Sequence, residues 1–168
     1  MKKTIATFAA ALLIAAPSFS QGSFGAHVEG LAAGRQINTS SKAQLKYFAI
    51  TAQYNTNKHF SIGAGLHLDD FGKLKYGYHI EPQARCVIAT NTSVFVGVQS
   101  GITGFNLPKN NDFHNSPFIA PRVGIEISIT NYLSFTASLQ YQWMRRNDHI
   151  NNISHTVERA GIVVGFRF

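Results

Sequence analysis

The sequence predicts an all-β fold, an eight-stranded antiparallel transmembrane β-barrel behind an N-terminal export signal. Three observations predict it. The first twenty residues are laid out as a secretory leader. Beyond them, apolar residues recur with a period of two rather than the roughly 3.6 of a helix. A Thr-Asn pair also recurs, each time between two alternating segments.

The leader opens with Lys2 and Lys3, continues through an uncharged apolar stretch from Ile5 to Ala16, and ends on the small-x-small pattern Ser18-Phe19-Ser20. Cleavage after Ser20 leaves 21–168 as a single barrel domain beginning at Gln21. The apolar stretch is short for a spanning helix, which needs about 20 residues. No cysteine follows it to carry a lipid, and Cys86 is the only cysteine in the chain. An intrachain disulfide is therefore excluded, so stability has to come from a hydrogen-bonded sheet and from burial.

Of the 15 Lys and Arg residues, Lys2 and Lys3 belong to the leader, which leaves 13 against 8 acidic residues. These are scattered, with no cluster beyond Arg145-Arg146, so a nucleic-acid partner is not expected. Attraction to anionic lipid headgroups is the better use of such a surplus.

The turns order the strands. Thr56-Asn57, Thr90-Asn91 and Thr130-Asn131 are spaced by 34 and 40 residues, each room for two strands of about ten residues with their connections. Asn tolerates the left-handed backbone of tight hairpins. Reading outward from these turns pairs Leu45–Tyr54 with Phe60–Leu68, Tyr76–Ile88 with Ser93–Ile102, and Phe118–Ile129 with Leu133–Trp143. Lone strands Ser23–Arg35 and Val157–Phe168 lie at the ends, free to close on each other. The other connections, roughly 36–44, 69–75, 103–117 and 144–156, are longer and polar. Short turns on one side and long loops on the other suit an outer-membrane barrel.

Each strand alternates. Phe60, Ile62, Ala64, Leu66 and Leu68 oppose Ser61, Gly63, Gly65 and His67; Phe135, Ala137, Leu139, Tyr141 and Trp143 oppose Ser134, Thr136, Ser138, Gln140 and Gln142. A soluble sandwich or lipocalin-like barrel alternates as well, but its second parity faces water and is rich in Lys and Glu. Here that parity is mostly Gly, Ser, Thr and Gln, so the apolar parity is assigned to lipid and the polar one to the lumen. Aromatics gather near strand ends: Tyr54, Phe60, Tyr132, Phe166 and Phe168 by the short turns, Tyr76, Tyr78, Phe118, Tyr141 and Trp143 by the long loops. Two such bands fit interfacial girdles. Pro82 and Pro121 fall inside strands and are expected to mark bulges or strand starts near the outer rim. Alternation also breaks at Leu31-Ala32-Ala33-Gly34.

The chain ends Ile162-Val163-Val164-Gly165-Phe166-Arg167-Phe168. With the leader and the strand pattern, this ending resembles the small, porin-like eight-stranded outer-membrane barrels of Gram-negative bacteria. The resemblance implies a bacterial outer-membrane location among lipid and lipopolysaccharide. It also implies that Val164, Phe166 and Phe168 are the signal read by the barrel-assembly machinery. Such families include structural barrels, surface adhesion proteins, narrow pores and a few lipid-modifying enzymes, so membership selects no function.

The lumen parity carries Glu29, Glu81 and Glu126 with Arg85, Arg122, Arg159 and Arg167, joined by His27, His67 and His79. An eight-stranded barrel is just wide enough for side chains to fill. Charges there must pair, since an isolated one is very costly to desolvate. A salt-bridged structural plug is the expected outcome, with a narrow ion pore or proton path as the alternative. An enzymatic alternative rests on His114-Asn115-Ser116, with Ser116 as nucleophile, His114 as base and Glu126 orienting the imidazole. Some barrels of this size deacylate lipid A with a His-x-Ser pair and a Glu. His149, His155 and Asp148 lack tetrahedral ligand spacing, so neither metal nor cofactor is expected. The resulting expectation is a non-enzymatic barrel with a plugged polar interior, working in envelope integrity or in surface interaction with a loop partner that no motif names.

Overall fold

A computed structural model of the protein describes residues 22–37, 46–70, 74–105, 116–148 and 153–168. The leader expected over 1–20 lies outside the described residues, as do His114, His149 and most of the long connections. The eight strands are β1 (Ser23–Gln36), β2 (Lys46–Asn55), β3 (Phe60–Asp70), β4 (Leu74–Ala89), β5 (Thr92–Phe105), β6 (Ser116–Ser128), β7 (Ser134–Asp148) and β8 (Ile153–Arg167). Each pairs antiparallel with the next, and β8 returns to β1 to close the barrel. The last residue seals this seam, with Phe168 N–H donating to Ala26 O at 2.8 Å and Ala26 N–H to Phe168 O at 3.1 Å.

The Thr-Asn positions are the short turns, and Asn57 acts there through its side chain. Its Oδ1 accepts the N–H groups of His59 at 2.7 Å and Phe60 at 2.9 Å. Backbone bonds from Ile129 and Thr130 to Leu133 O close the β6–β7 turn in the same region of the fold. At the other end the strands run longer than their apolar alternation. β3 reaches Asp70, β5 reaches Phe105, and β7 runs to Asp148 with β8 beginning at Ile153. A strand of about 9–11 residues crosses the hydrocarbon. The extra residues therefore carry the sheet beyond it on the long-loop side.

The barrel is inside-out relative to a soluble one. Ile62, Leu66 and Leu139 are 50%, 56% and 62% exposed on the outer wall, whereas Glu81 and Arg122 are 1% and 4% exposed within. Such a surface needs a lipid solvent. Outward aromatic pairs sit toward both ends: Phe24 with Tyr54 at 4.9 Å, Phe135 with Phe166 at 5.7 Å, and Tyr141 with Trp143 at 4.8 Å.

Three expectations need correction. Phe118 is not a girdle residue; it points inward and packs with Ala120 and Met144, closing part of the upper lumen with apolar bulk. Pro82 and Pro121 are neither bulges nor strand starts. They lie within β4 and β6, and the register runs past them unchanged, from Ile80↔Ser100 to Gln83↔Gly97 and from Ile119↔Trp143 to Arg122↔Gln140. Each missing N–H costs a local stretch of ladder on one side only, while Pro82 stays paired with Ile62 and Pro121 with Val98 on the other. The bulges lie elsewhere: one between Leu31 and Ala33, where alternation fails in the sequence, one between Val87 and Ala89 at the β4–β5 turn, and one between Tyr76 and Gly77. Opposite the latter, Gly104 takes φ 124°, a backbone that only glycine adopts without strain.

Candidate functional site: the charged lumen

Every second residue of the strands faces the lumen, so five strands, β1, β3, β4, β6 and β8, can aim charges at one axis. Among the described residues the interior holds the carboxylates Glu29, Asp69, Glu81 and Glu126 and the guanidiniums Arg85, Arg122, Arg159 and Arg167. The two signs are balanced. Each cation reaches across the lumen, not to an adjacent strand, for its acid.

At the centre Arg122 of β6 donates to Glu29 of β1 at 2.6 Å and to Glu81 of β4. Gln99 of β5 donates to the same two carboxylates, at 2.8 Å and 3.1 Å. The Tyr47 hydroxyl lies 3.0 Å from Glu29 Oε1 and 3.0 Å from Gln99 Oε1. Phe95 places its ring face 5.6 Å from the Arg122 guanidinium. Gly124 makes room for that ring, since a Cβ there would come within 2.7 Å of Phe95 Cζ. Toward the short turns Glu126 takes Arg167 and, at 3.1 Å, Arg85. Arg167 also donates to Gln83 Oε1 at 2.8 Å. Toward the loops Arg159 donates to Asp69 at 2.8 Å and to Gln142, and lies 5.3 Å over the Tyr47 ring.

The structure thus brings together Glu29, Glu81, Glu126, Arg85, Arg122, Arg159 and Arg167, with His27, His67 and His79 among them. Sequence reasoning missed Asp69, which it assigned to a loop after Leu68. The signal was available, because the lumen parity of Ser61, Gly63, Gly65 and His67 continues to 69. Tyr47 and Gln99 were missed because a neutral polar residue on the lumen parity does not stand out.

The hydrolytic arrangement does not assemble as expected. Ser116 is the first residue of β6, 1% exposed in the lumen, and is not in a surface loop. Glu126 lies ten residues further along the same strand, roughly 33 Å away, and is engaged by Arg85 and Arg167. It cannot orient a base for Ser116. His114 is outside the described residues. Another His-hydroxyl pair, His67 Nε2 with Thr103 Oγ1 at 3.0 Å, lies closer to Asp69. There Asp69 faces the same ring nitrogen at 3.7 Å, whereas a triad needs the acid on the opposite nitrogen. His27, Glu29 and Glu81 bring ligand atoms within 4.8 Å of one another, but both carboxylates are already bound to Arg122.

No family model matches the chain. No curated protein matches it either. Solved structures do. Neisserial surface protein A is 12% identical with a TM-score of 0.70, over 88% of this chain and 98% of that one. The N-terminal β-barrel domain of Pseudomonas aeruginosa OprF is 12% identical with a TM-score of 0.56, over 88% and 100%. A de novo designed transmembrane β-barrel is 11% identical with a TM-score of 0.55, over 89% and 97%. At this identity the likeness speaks for the fold: the chain is built as a small, eight-stranded outer-membrane β-barrel.

Proposed function

We propose that this barrel is a solute-tight, non-enzymatic element of the outer membrane, acting in envelope integrity or in surface interaction through its extracellular loops. The observation that carries this reading is the plug at mid-height. Glu29, Glu81, Gln99 and Arg122 are 2%, 1%, 0% and 4% exposed, so water does not reach the centre as it would in an open pore. A void of about 10 Å³ between Tyr47, Gln142 and Arg159 has room for roughly one water. A hydrated ion would have to break several buried charge pairs to pass. That a designed barrel shares the architecture is in keeping with a fold that carries no activity by itself. We further propose that the outward row Val164, Phe166 and Phe168 is the assembly machinery's signal; Phe166 and Phe168 stand exposed on the lipid face.

Planar-bilayer recording of the refolded mature chain tests the main reading. A flat trace in potassium chloride is expected, and reproducible conductance steps would sink it. Mass spectrometry of lipid A from cells with the protein, without it and with Ser116→Ala tests the enzyme alternative. Unchanged lipid A is expected throughout, whereas an acyl loss that needs Ser116 would restore the hydrolase.

A further inference from the structure

The ion pairs leave a second set of lumen groups unexplained. Three buried histidines and three buried threonines lie along one line between the carboxylates Glu126 and Asp69. We propose that this row is a proton path, so that a barrel closed to solutes passes protons.

The row can be followed atom by atom. Glu126 of β6 stands directly opposite Thr136 of β7. Thr136 Oγ1 lies 2.9 Å from His27 Nε2. His27 of β1 stands directly opposite Thr51 of β2. Thr51 Oγ1 is 2.9 Å from His79 Nε2, His79 Nδ1 is 3.3 Å from His67 Nδ1, and His67 Nε2 is 3.0 Å from Thr103 Oγ1. Thr103 Oγ1 then lies 3.4 Å from Asp69 Oδ2. The two steps without a hydrogen bond join directly opposed residues, whose Cβ atoms are about 4.5–5.5 Å apart, and the proposal requires one bound water to bridge each of them.

The donors in the upper half follow from chemistry. An ionised carboxylate only accepts, and Asp69 is held by Arg159, so the Thr103 hydroxyl donates to it. Thr103 Oγ1 must then accept from His67 Nε2–H. A neutral His67 has its Nδ1 free to accept, so His79 donates from Nδ1 and accepts at Nε2 from the Thr51 hydroxyl. Every donor points toward Asp69. A proton arriving at Thr51 moves each bond on by one. Each O–H or N–H gives its proton to the next atom, and one proton leaves through Asp69 for the loop side. Rotation of the hydroxyls and rings resets the row. One proton enters at Glu126 for each that leaves, and nothing is oxidised or reduced.

The charged groups facing the row are Glu29 of β1, Glu81 and Arg85 of β4, Arg122 of β6, and Arg159 and Arg167 of β8. Each guanidinium is matched by a carboxylate, so it is the packed side chains, not a net charge, that stop a metal cation or an anion. A relay needs neither a moving ion nor an open bore.

The test uses the full mature chain in vesicles loaded with a pH-sensitive dye, with the membrane potential clamped by potassium and valinomycin. After an external pH step, the interior is expected to follow several-fold faster than in empty vesicles. Thr51→Val and Thr103→Val keep shape and charge but remove a relay hydroxyl, and each should return the rate to that of empty vesicles. Heat-dependent gel mobility reports whether each variant has folded. If a valine variant does not fold, His67→Gln serves, since an amide fills the place without relaying a proton. A wild-type rate equal to that of empty vesicles overturns the proposal, as does a folded variant that keeps the wild-type rate. Potassium steps in the planar bilayer would refute solute tightness alone, and the folded variants would still decide the relay. Nitrogen NMR gives an independent reading: His67 protonated on Nε2 and His79 on Nδ1 support the row, and the opposite tautomers overturn it.

Discussion

Arg122 and Glu29 are 93 residues apart in sequence and meet at 2.6 Å in the centre of the barrel. Arg122→Ala leaves Glu29 and Glu81 facing each other without their shared cation. Breaking a buried pair in this way costs about 3–5 kcal/mol. Urea unfolding of the refolded barrel is expected to show a loss of that size. Adding Glu29→Gln and Glu81→Gln should recover most of it, and no recovery would mean that the loss came from packing and not from charge.

Leu139 stands 62% exposed on the lipid face of β7, beside the lumen-facing Gln140. A cation near the bilayer midplane costs a barrel about 2–4 kcal/mol. Leu139→Arg should therefore lower unfolding stability in vesicles by that amount, while Leu139→Ile leaves it unchanged. Equal stabilities for the two variants would place the outer wall somewhere other than in lipid.

Gly104 holds its positive φ opposite the bulge at Tyr76 and Gly77. Gly104→Ala should cost about 1–3 kcal/mol in the same unfolding measurement, because an L side chain strains that backbone. A neutral substitution would show that the bulge relaxes.

Phe168 combines an exposed ring with two seam hydrogen bonds made by its backbone. Phe168→Ala removes only the ring. If the ring is the assembly signal, the variant should accumulate in cells as unfolded, heat-insensitive chain and yet refold normally in detergent. Failure in both settings would make the ring a stability element instead.

Much of this fold was legible because lipid imposes one rule on every strand: apolar out, polar in. Strands bounded by Asn57 or Asn91 could be located to within a residue or so. Apart from that of β2, their far ends could not, since above the hydrocarbon the outward parity no longer needs to be apolar. Asp69, Thr103 and Ser116 were lost to loops for that reason. Phe118 was misread because an aromatic near a strand end fits a girdle or a lumen stopper equally well, and only parity separates them. Pro82 and Pro121 misled because one face of a strand can lose its ladder while the other keeps it. In the site, the charges could be named from parity but their partners could not. That Arg122 of β6 meets Glu29 of β1 and Glu81 of β4 depends on shear, which no local pattern encodes.

The crossed pairing also bears on how the barrel comes into being. The acids held by Arg122 lie on β1 and β4, that held by Arg159 on β3, and that held by Arg167 on β6. None of these ion pairs joins adjacent strands, so a growing hairpin cannot neutralise its own charges. An open sheet entering the bilayer would present a row of bare guanidiniums and carboxylates to hydrocarbon. Only the curled sheet satisfies them, and it satisfies them together. Partly closed forms are thereby disfavoured, and insertion becomes all-or-none.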